Sequence, residues 1–190
     1  MHEGTIMKLL GISGSLRKDS LNMAILRTVA AELPEDVGME IFPLNGIPPY
    51  DGDLDTDTPP AAVAALRQAI GRADGLVIAT PEYNHGMSGV LKNALDWASR
   101  PYGAATLIGK PVLTLSSSMM GTGGARAQAQ LNETLTAITA RLVLRPQIVV
   151  TAAHEKVQNG VLSDRATLDF ILAGIADLAR EIRLLAGATA

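Results

Sequence analysis

The sequence predicts a doubly wound α/β fold of three layers, with helices on both faces of a five-stranded parallel sheet in the order 2-1-3-4-5. Four observations carry this prediction. Short apolar runs alternate with longer amphipathic stretches along the chain, the pattern of strands and helices taking turns. With 190 residues, 47% of them hydrophobic, the chain can bury one substantial core. No repeat, low-complexity tract or linker divides it, so residues 1–190 are expected to form a single domain. Finally, the segments after the first, third and fourth apolar runs are crowded with small, hydroxyl and amide residues, as suits loops at the carboxyl edge of a parallel sheet, where ligands bind.

The first strand is expected over residues 7–12, where a short apolar run ends in a glycine- and serine-rich turn. A helix over 24–33 leads to a second strand at 39–44. Residues 45–60 are rich in proline and aspartate, a composition that does not sustain regular structure, and read as a long surface loop. A helix at 61–72 precedes a third strand at 76–80, and a helix at 88–99 precedes a fourth at 112–116. The stretch 125–142 is predicted as one helix, followed by a fifth strand at 148–151 and a last helix at 166–185. In that helix Leu168, Ile171, Leu172, Ile175, Leu178, Ile182 and Leu185 recur every three or four residues and mark one buried stripe. Trp97 borders the stripe of Leu91, Ala94, Leu95 and Ala98 and reads as packed; a subunit interface is the second reading for Trp97, Arg100 and Tyr102.

Composition removes several function classes. Sixteen basic and 19 acidic residues leave a net charge of only -3, which favours neither nucleic acid nor an anionic membrane as partner. No apolar run approaches the length of a membrane span, and the opening residues lack a signal-peptide pattern, so a cytoplasmic protein is expected. The absence of cysteine excludes disulfides, thiol nucleophiles, iron-sulfur clusters and thiolate zinc sites. Redox chemistry would therefore need a bound cofactor. His2, His85 and His154 lie far apart and form no metal-binding motif, so no metal site is expected.

The loop after the first strand, SGSLRKDSLN, offers the hydroxyls of Ser13, Ser15 and Ser20, the amide of Asn22 and the cations of Arg17 and Lys18 just before a helix. Hydroxyls, cations and the free N–H groups of a helix start are phosphate-binding groups. The plainer alternative is that Ser20 or Asn22 only caps the helix. The loop lacks the GK[ST] of a Walker A motif and the third glycine of GxGxxG, which disfavours ATP and classical dinucleotide sites. Gly11, Ser13 and Ser15 also approach a GxSxG nucleophile elbow, with Asp96 and His154 available in triad order, but Ser15 stands where the last glycine belongs.

Three segments in order, GSLRKDSLN, PEYNHGMSGVLKNALDW and SSSMMGTGGAR, resemble the NADPH-dependent FMN reductase family of flavodoxin-like proteins, closest to its bacterial quinone, chromate and ferric reductases. The resemblance covers most of the chain. It implies a flavodoxin-like fold, non-covalent FMN, NAD(P)H as electron donor and a homodimer or a tetramer made of dimers. By motif, Ser15, Arg17, Ser20 and Asn22 would surround the FMN phosphate, with the backbone of Leu21 and Met23 closing the cradle. Pro81, Glu82, Tyr83 and Asn84 would lie along the isoalloxazine ring, and Ser117, Gly121 and Gly123 would form the far wall. Turn chemistry alone also accounts for several of these: Pro81 ending a strand, Asn84 capping a turn, Gly123 and Gly124 shaping a helix start. No catalytic side chain is implied, because the flavin carries the chemistry. Two rival activities share these motifs, a flavin reductase that releases reduced FMN and a flavodoxin-type electron carrier.

Overall fold

The structure, a computed structural model, describes residues 6–188, which leaves His2 outside the described residues. Strands β1 (Met7–Ser13), β2 (Val37–Phe42), β3 (Gly75–Pro81) and β4 (Pro111–Ser117) pair in parallel in the order β2-β1-β3-β4. The fifth position is shared by two short parallel segments. β5 (Arg141–Leu142) lies beside Pro111 and Val112, and β6 (Ile148–Val150) lies beside Leu115, Ser116 and Ser117. The flavodoxin-like order expected from the sequence is thus present, with its last strand interrupted.

Helices α1 (Leu21–Ala31) and α6 (Arg165–Ala188) cover one face of the sheet; α2 (Ala61–Arg72), α3 (Gly89–Ala98) and α4 (Ala125–Ala137) cover the other. Successive strand residues point to opposite faces. Leu9, Val77 and Leu113 accordingly pack under α1 and α6, while their neighbours Leu10, Ile78 and Val112 pack under α2, α3 and α4. Burial on both faces is why the central runs are mainly apolar, and the hydroxyls of Thr80, Thr114 and Ser116 buried among them are hydrogen-bonded.

Four departures from the expected elements have identifiable causes. β2 ends at Phe42 because Pro43 has no N–H for the ladder; Leu44, expected in the strand, enters the core from the loop, 3% exposed. The helix expected over 125–142 stops at Ala137, Thr139 turns the backbone with φ 62°, and Arg141–Leu142 pair with β4 instead. The fifth strand is broken at residues 143–147. There the Gln128 side chain donates Nε2–H to the Thr114 carbonyl at 3.0 Å, where a regular strand would have paired. A short helix, α5 (Ala153–Lys156), and an antiparallel hairpin of β7 (Val157–Gln158) and β8 (Val161–Leu162) are additional to the expected elements. The hairpin was legible: Asn159 and Gly160 adopt φ 51° and 77°, the backbone an Asn-Gly two-residue turn requires.

The loop 45–60 is fastened to α3. Asn93 accepts from Tyr50 N–H at 2.7 Å and donates to the Pro48 carbonyl at 2.8 Å, and Trp97 Nε1–H donates to the same carbonyl at 2.8 Å. Arg67 on α2 donates to the Trp97 carbonyl and to Asp55. Trp97 is fully buried within the chain, so the subunit-interface reading does not hold for it. Tyr102, by contrast, is 90% exposed.

At the other end of the chain, Asp164 accepts from Thr167 N–H at 3.0 Å and caps α6. Hydrogen bonding to the Thr167 side chain and then its backbone holds the Asp164 carboxyl below the usual carboxylate range. The folded-state pKa is therefore lower than the unfolded one, about 3.9. This stabilisation is present above that value and is lost as pH falls through the folded pKa. Asp164→Asn is expected to flatten the acid limb of stability against pH below about pH 4, measured by urea unfolding at stepped pH.

Candidate active site

Parallel pairing in register brings three loops to one edge of the sheet. Pro81 lies beside Ser117, so β3 and β4 end level, while Ser13 lies beside Ala79, so β1 ends two residues short of them on the same edge. Gly14 N–H continues the ladder to the Ala79 carbonyl at 2.8 Å. Its own carbonyl accepts from Ser88 Oγ at 2.5 Å, while that oxygen also accepts from Leu91 N–H and caps α3. A Cβ at residue 14 would meet Pro81 Cδ and Ser88 Oγ, each at 3.0 Å. The glycine is what lets the first loop close on the third.

The resulting cleft is lined by Ser15, Arg17, Ser20, Leu21, Asn22, Pro81, Glu82, Tyr83 and Ser117, together with Ser118 and Met119. Ser20 is the N-cap of α1, accepting from Met23 N–H at 3.2 Å. The capping alternative and the cleft reading are therefore both true of Ser20. With Met23 N–H engaged, the first-turn donors left without an intrahelical acceptor are the N–H groups of Leu21 and Asn22. Met23, Asn84, Gly121 and Gly123 do not line the cleft.

Asn84 and His85 occupy the tip of a tight turn at φ 49° and 68°, closed by reciprocal backbone bonds between Tyr83 and Gly86 at 2.9 and 3.0 Å. The turn departs from Tyr83 at the cleft, but its tip is exposed. Gly123 shapes the fourth loop from behind: at φ 58°, a Cβ there would strike Val149 Cγ1 and stand 3.0 Å from Thr151 Cγ2.

Glu82 has a second task that its sequence position does not reveal. Its carboxylate accepts from the N–H groups of Arg126 at 3.1 Å and Ala127 at 3.4 Å, and pairs with the Arg126 guanidinium at 3.5 Å. Gly124, the N-cap of α4, has no side chain to do this. The third loop thus caps the helix that follows the fourth, which ties two walls of the cleft together. Glu82→Ala is expected to cost about 1–2 kcal/mol of stability, the usual value of a lost cap, read as a lower urea midpoint at constant slope.

The serine-elbow alternative is not assembled. Asp96 pairs with Lys92 on α3 at 2.6 Å, His154 stands 3.7 Å from Glu155, and neither lines the cleft with Ser15. Among the described residues no group of His, Cys, Asp or Glu could hold a metal ion, and no helix is long and apolar enough to cross a membrane.

Residues 7–155 match the family model described as NADPH-dependent FMN reductase. The chain belongs to that family. It is 41% identical to an NAD(P)H-dependent FMN reductase of Pseudomonas aeruginosa, over 84% of this chain and 87% of that one. It is 40% identical to a quinone reductase of Escherichia coli, over 87% of this chain and 89% of that one. Among solved structures, FerB, a flavoenzyme NAD(P)H:(acceptor) oxidoreductase from Paracoccus denitrificans, matches with a TM-score of 0.82 and 29% identity, covering 92% of this chain and 98% of that one.

Two lining residues of this FMN reductase family member were missed in the sequence, Ser118 and Met119. The available signal was the SSSMM run itself. Adjacent methionines in a loop, outside any helical stripe, have no core position to fill, and Met119 and Met120 are 55% and 69% exposed.

Proposed function

We propose that the chain holds FMN in this cleft and works as an NAD(P)H:acceptor oxidoreductase with quinones among its acceptors. One observation supports this most: Asn22 Oδ1 and Ser117 Oγ are buried, have no hydrogen-bond partner among the described residues, and belong to residues lining the same cleft. An unpaired buried polar atom costs about 1–3 kcal/mol, so two in one cleft fit a ligand that partners both. FMN suits this donor set. Its phosphate would be held by the N–H groups of Leu21 and Asn22, the hydroxyls of Ser15 and Ser20, and the Arg17 guanidinium. Pro81, Glu82 and Tyr83 on one side and Ser117 on the other would hold the ring, with Gly121 and Gly123 allowing the fourth loop its path.

Bound FMN supplies the redox chemistry, taking two electrons from NAD(P)H and delivering them to the acceptor. The protein's part is to bind and orient. A single cleft serving donor and acceptor in turn would give parallel initial-velocity lines; intersecting lines would overturn that arrangement. Chromate and ferric complexes are further acceptors of the same open site. We read the chain as a single domain over residues 1–190, acting in the cytoplasm as a homodimer or a tetramer of dimers; light scattering on the purified protein tests the assembly.

The deciding experiment records the visible spectrum of the purified protein, adds NADPH without oxygen, then adds a quinone. Bleaching followed by recovery of a flavin that survives gel filtration is expected. A colourless protein that binds no FMN would overturn the reading. Arg17 is exposed and makes no ion pair among the described residues. Because water screens it, Arg17→Ala is expected to weaken FMN binding only about tenfold, measured by fluorescence titration of the apoprotein.

A further inference from the structure

The floor of the cleft is polar, and at its mouth the exposed lining side chains other than Arg17 are apolar. Ser15, Ser20, Asn22 and Ser117 are all at most 7% exposed, whereas Tyr83 and Met119, lining the same cleft, stand 49% and 55% exposed. Leu16 and Met120, next in the chain to Ser15 and Met119, are 45% and 69% exposed. Single exposed apolar residues are ordinary on any surface, but here four arise from the three loops that converge on one site.

Two of these side chains stand on well-anchored backbone. Tyr83 is fixed by its reciprocal bonds to Gly86. Met119 is flanked by Ser118, whose N–H donates to the Val150 carbonyl at 3.1 Å, and by Met120, whose N–H donates to Ser118 Oγ at 3.1 Å and whose carbonyl accepts from Gly123 N–H at 3.1 Å. The side chains are therefore presented to the cleft while their backbone is held.

Resting on the reading of the cleft as an FMN site, we propose that Met119, assisted by Tyr83, determines acceptor specificity, favouring planar apolar acceptors of the quinone class over small hydrated anions. Covering exposed apolar surface is favourable for an apolar ring, and a strongly hydrated anion gains nothing from it. Methionine suits the task because its unbranched thioether adapts to rings of different outline and makes favourable sulfur-aromatic contacts. An acceptor site built this way selects a chemical class without selecting one quinone.

The test compares two acceptors on the FMN-loaded protein, menadione as the planar apolar quinone and chromate as the small hydrated anion. Met119→Gln keeps the length and flexibility of the side chain and replaces the thioether by an amide. In that variant the ratio of kcat/KM for menadione to kcat/KM for chromate is expected to fall about tenfold, through a higher KM for the quinone. Met119→Leu keeps an apolar side chain of similar volume and should restore the ratio to within about twofold of the parent. An unchanged ratio in Met119→Gln, or a fall carried by kcat alone, overturns the proposal. Failure of the underlying FMN reading is seen separately, in a parent protein that retains no flavin or whose flavin NADPH does not bleach.

Discussion

Trp97→Ala is expected to lower the free energy of unfolding by about 3–5 kcal/mol, the range for truncating a fully buried large aromatic side chain. Three kinds of contact are lost together. The Tyr50 ring packs edge-on at 4.9 Å, the Arg67 guanidinium lies 5.8 Å from the indole centroid, and the indole N–H donates to Pro48. Asn93 still donates to the Pro48 carbonyl in the variant, so the principal cost is the cavity and not an orphaned acceptor. Urea unfolding should show a lower midpoint at an unchanged slope, and hydrogen exchange should quicken in residues 45–60, which Trp97 fastens to α3. A loss near 1 kcal/mol with no change in that loop would mean that Trp97 is not the anchor.

Asn22→Leu is expected to separate stability from function. The side chain is 3% exposed and its Oδ1 has no partner among the described residues. Replacing it with an apolar group of similar size removes an unsatisfied acceptor, so the apoprotein should be as stable as the parent, or up to about 1 kcal/mol more stable. FMN binding should weaken roughly 2- to 10-fold, because Oδ1 can only accept, and a neutral hydroxyl of the ligand donating to it is worth about 0.5–1.5 kcal/mol. Thermal unfolding of the apoprotein and fluorescence titration with FMN read the two effects independently. A destabilised apoprotein with unchanged FMN affinity would assign Asn22 to packing.

Much of the candidate site was legible because its residues are unusual for where they stand. A run of hydroxyl, cationic and amide residues before a helix needs an explanation, and Ser15, Arg17, Ser20, Leu21 and Asn22 do line one cleft. Asn84 and Gly123 carry equally unusual signals, yet the structure explains them as left-handed backbone, at a turn tip and behind a loop. The sequence alone does not distinguish a polar or glycine residue that faces a ligand from one that shapes the chain. Glu82 shows the same ambiguity: its motif suggests contact with a ligand, while its carboxylate caps α4 across 44 residues of chain.

By itself the sequence determined the layer order, the central strands and the faces of the helices, since burial on both sides of β1, β3 and β4 demands apolar residues in a local pattern. It also determined the hairpin turn at Asn159 and Gly160, whose backbone only a few residue types adopt readily. Only the tertiary structure decided where α4 stops, how the fifth strand divides and which walls of the cleft are tied together. Those outcomes depend on partners distant in sequence: β4 for Arg141–Leu142, Gln128 for the gap at Thr114, and Glu82 for the start of α4. A hydrogen-bonding group must be satisfied once buried, but local sequence does not say by which distant group.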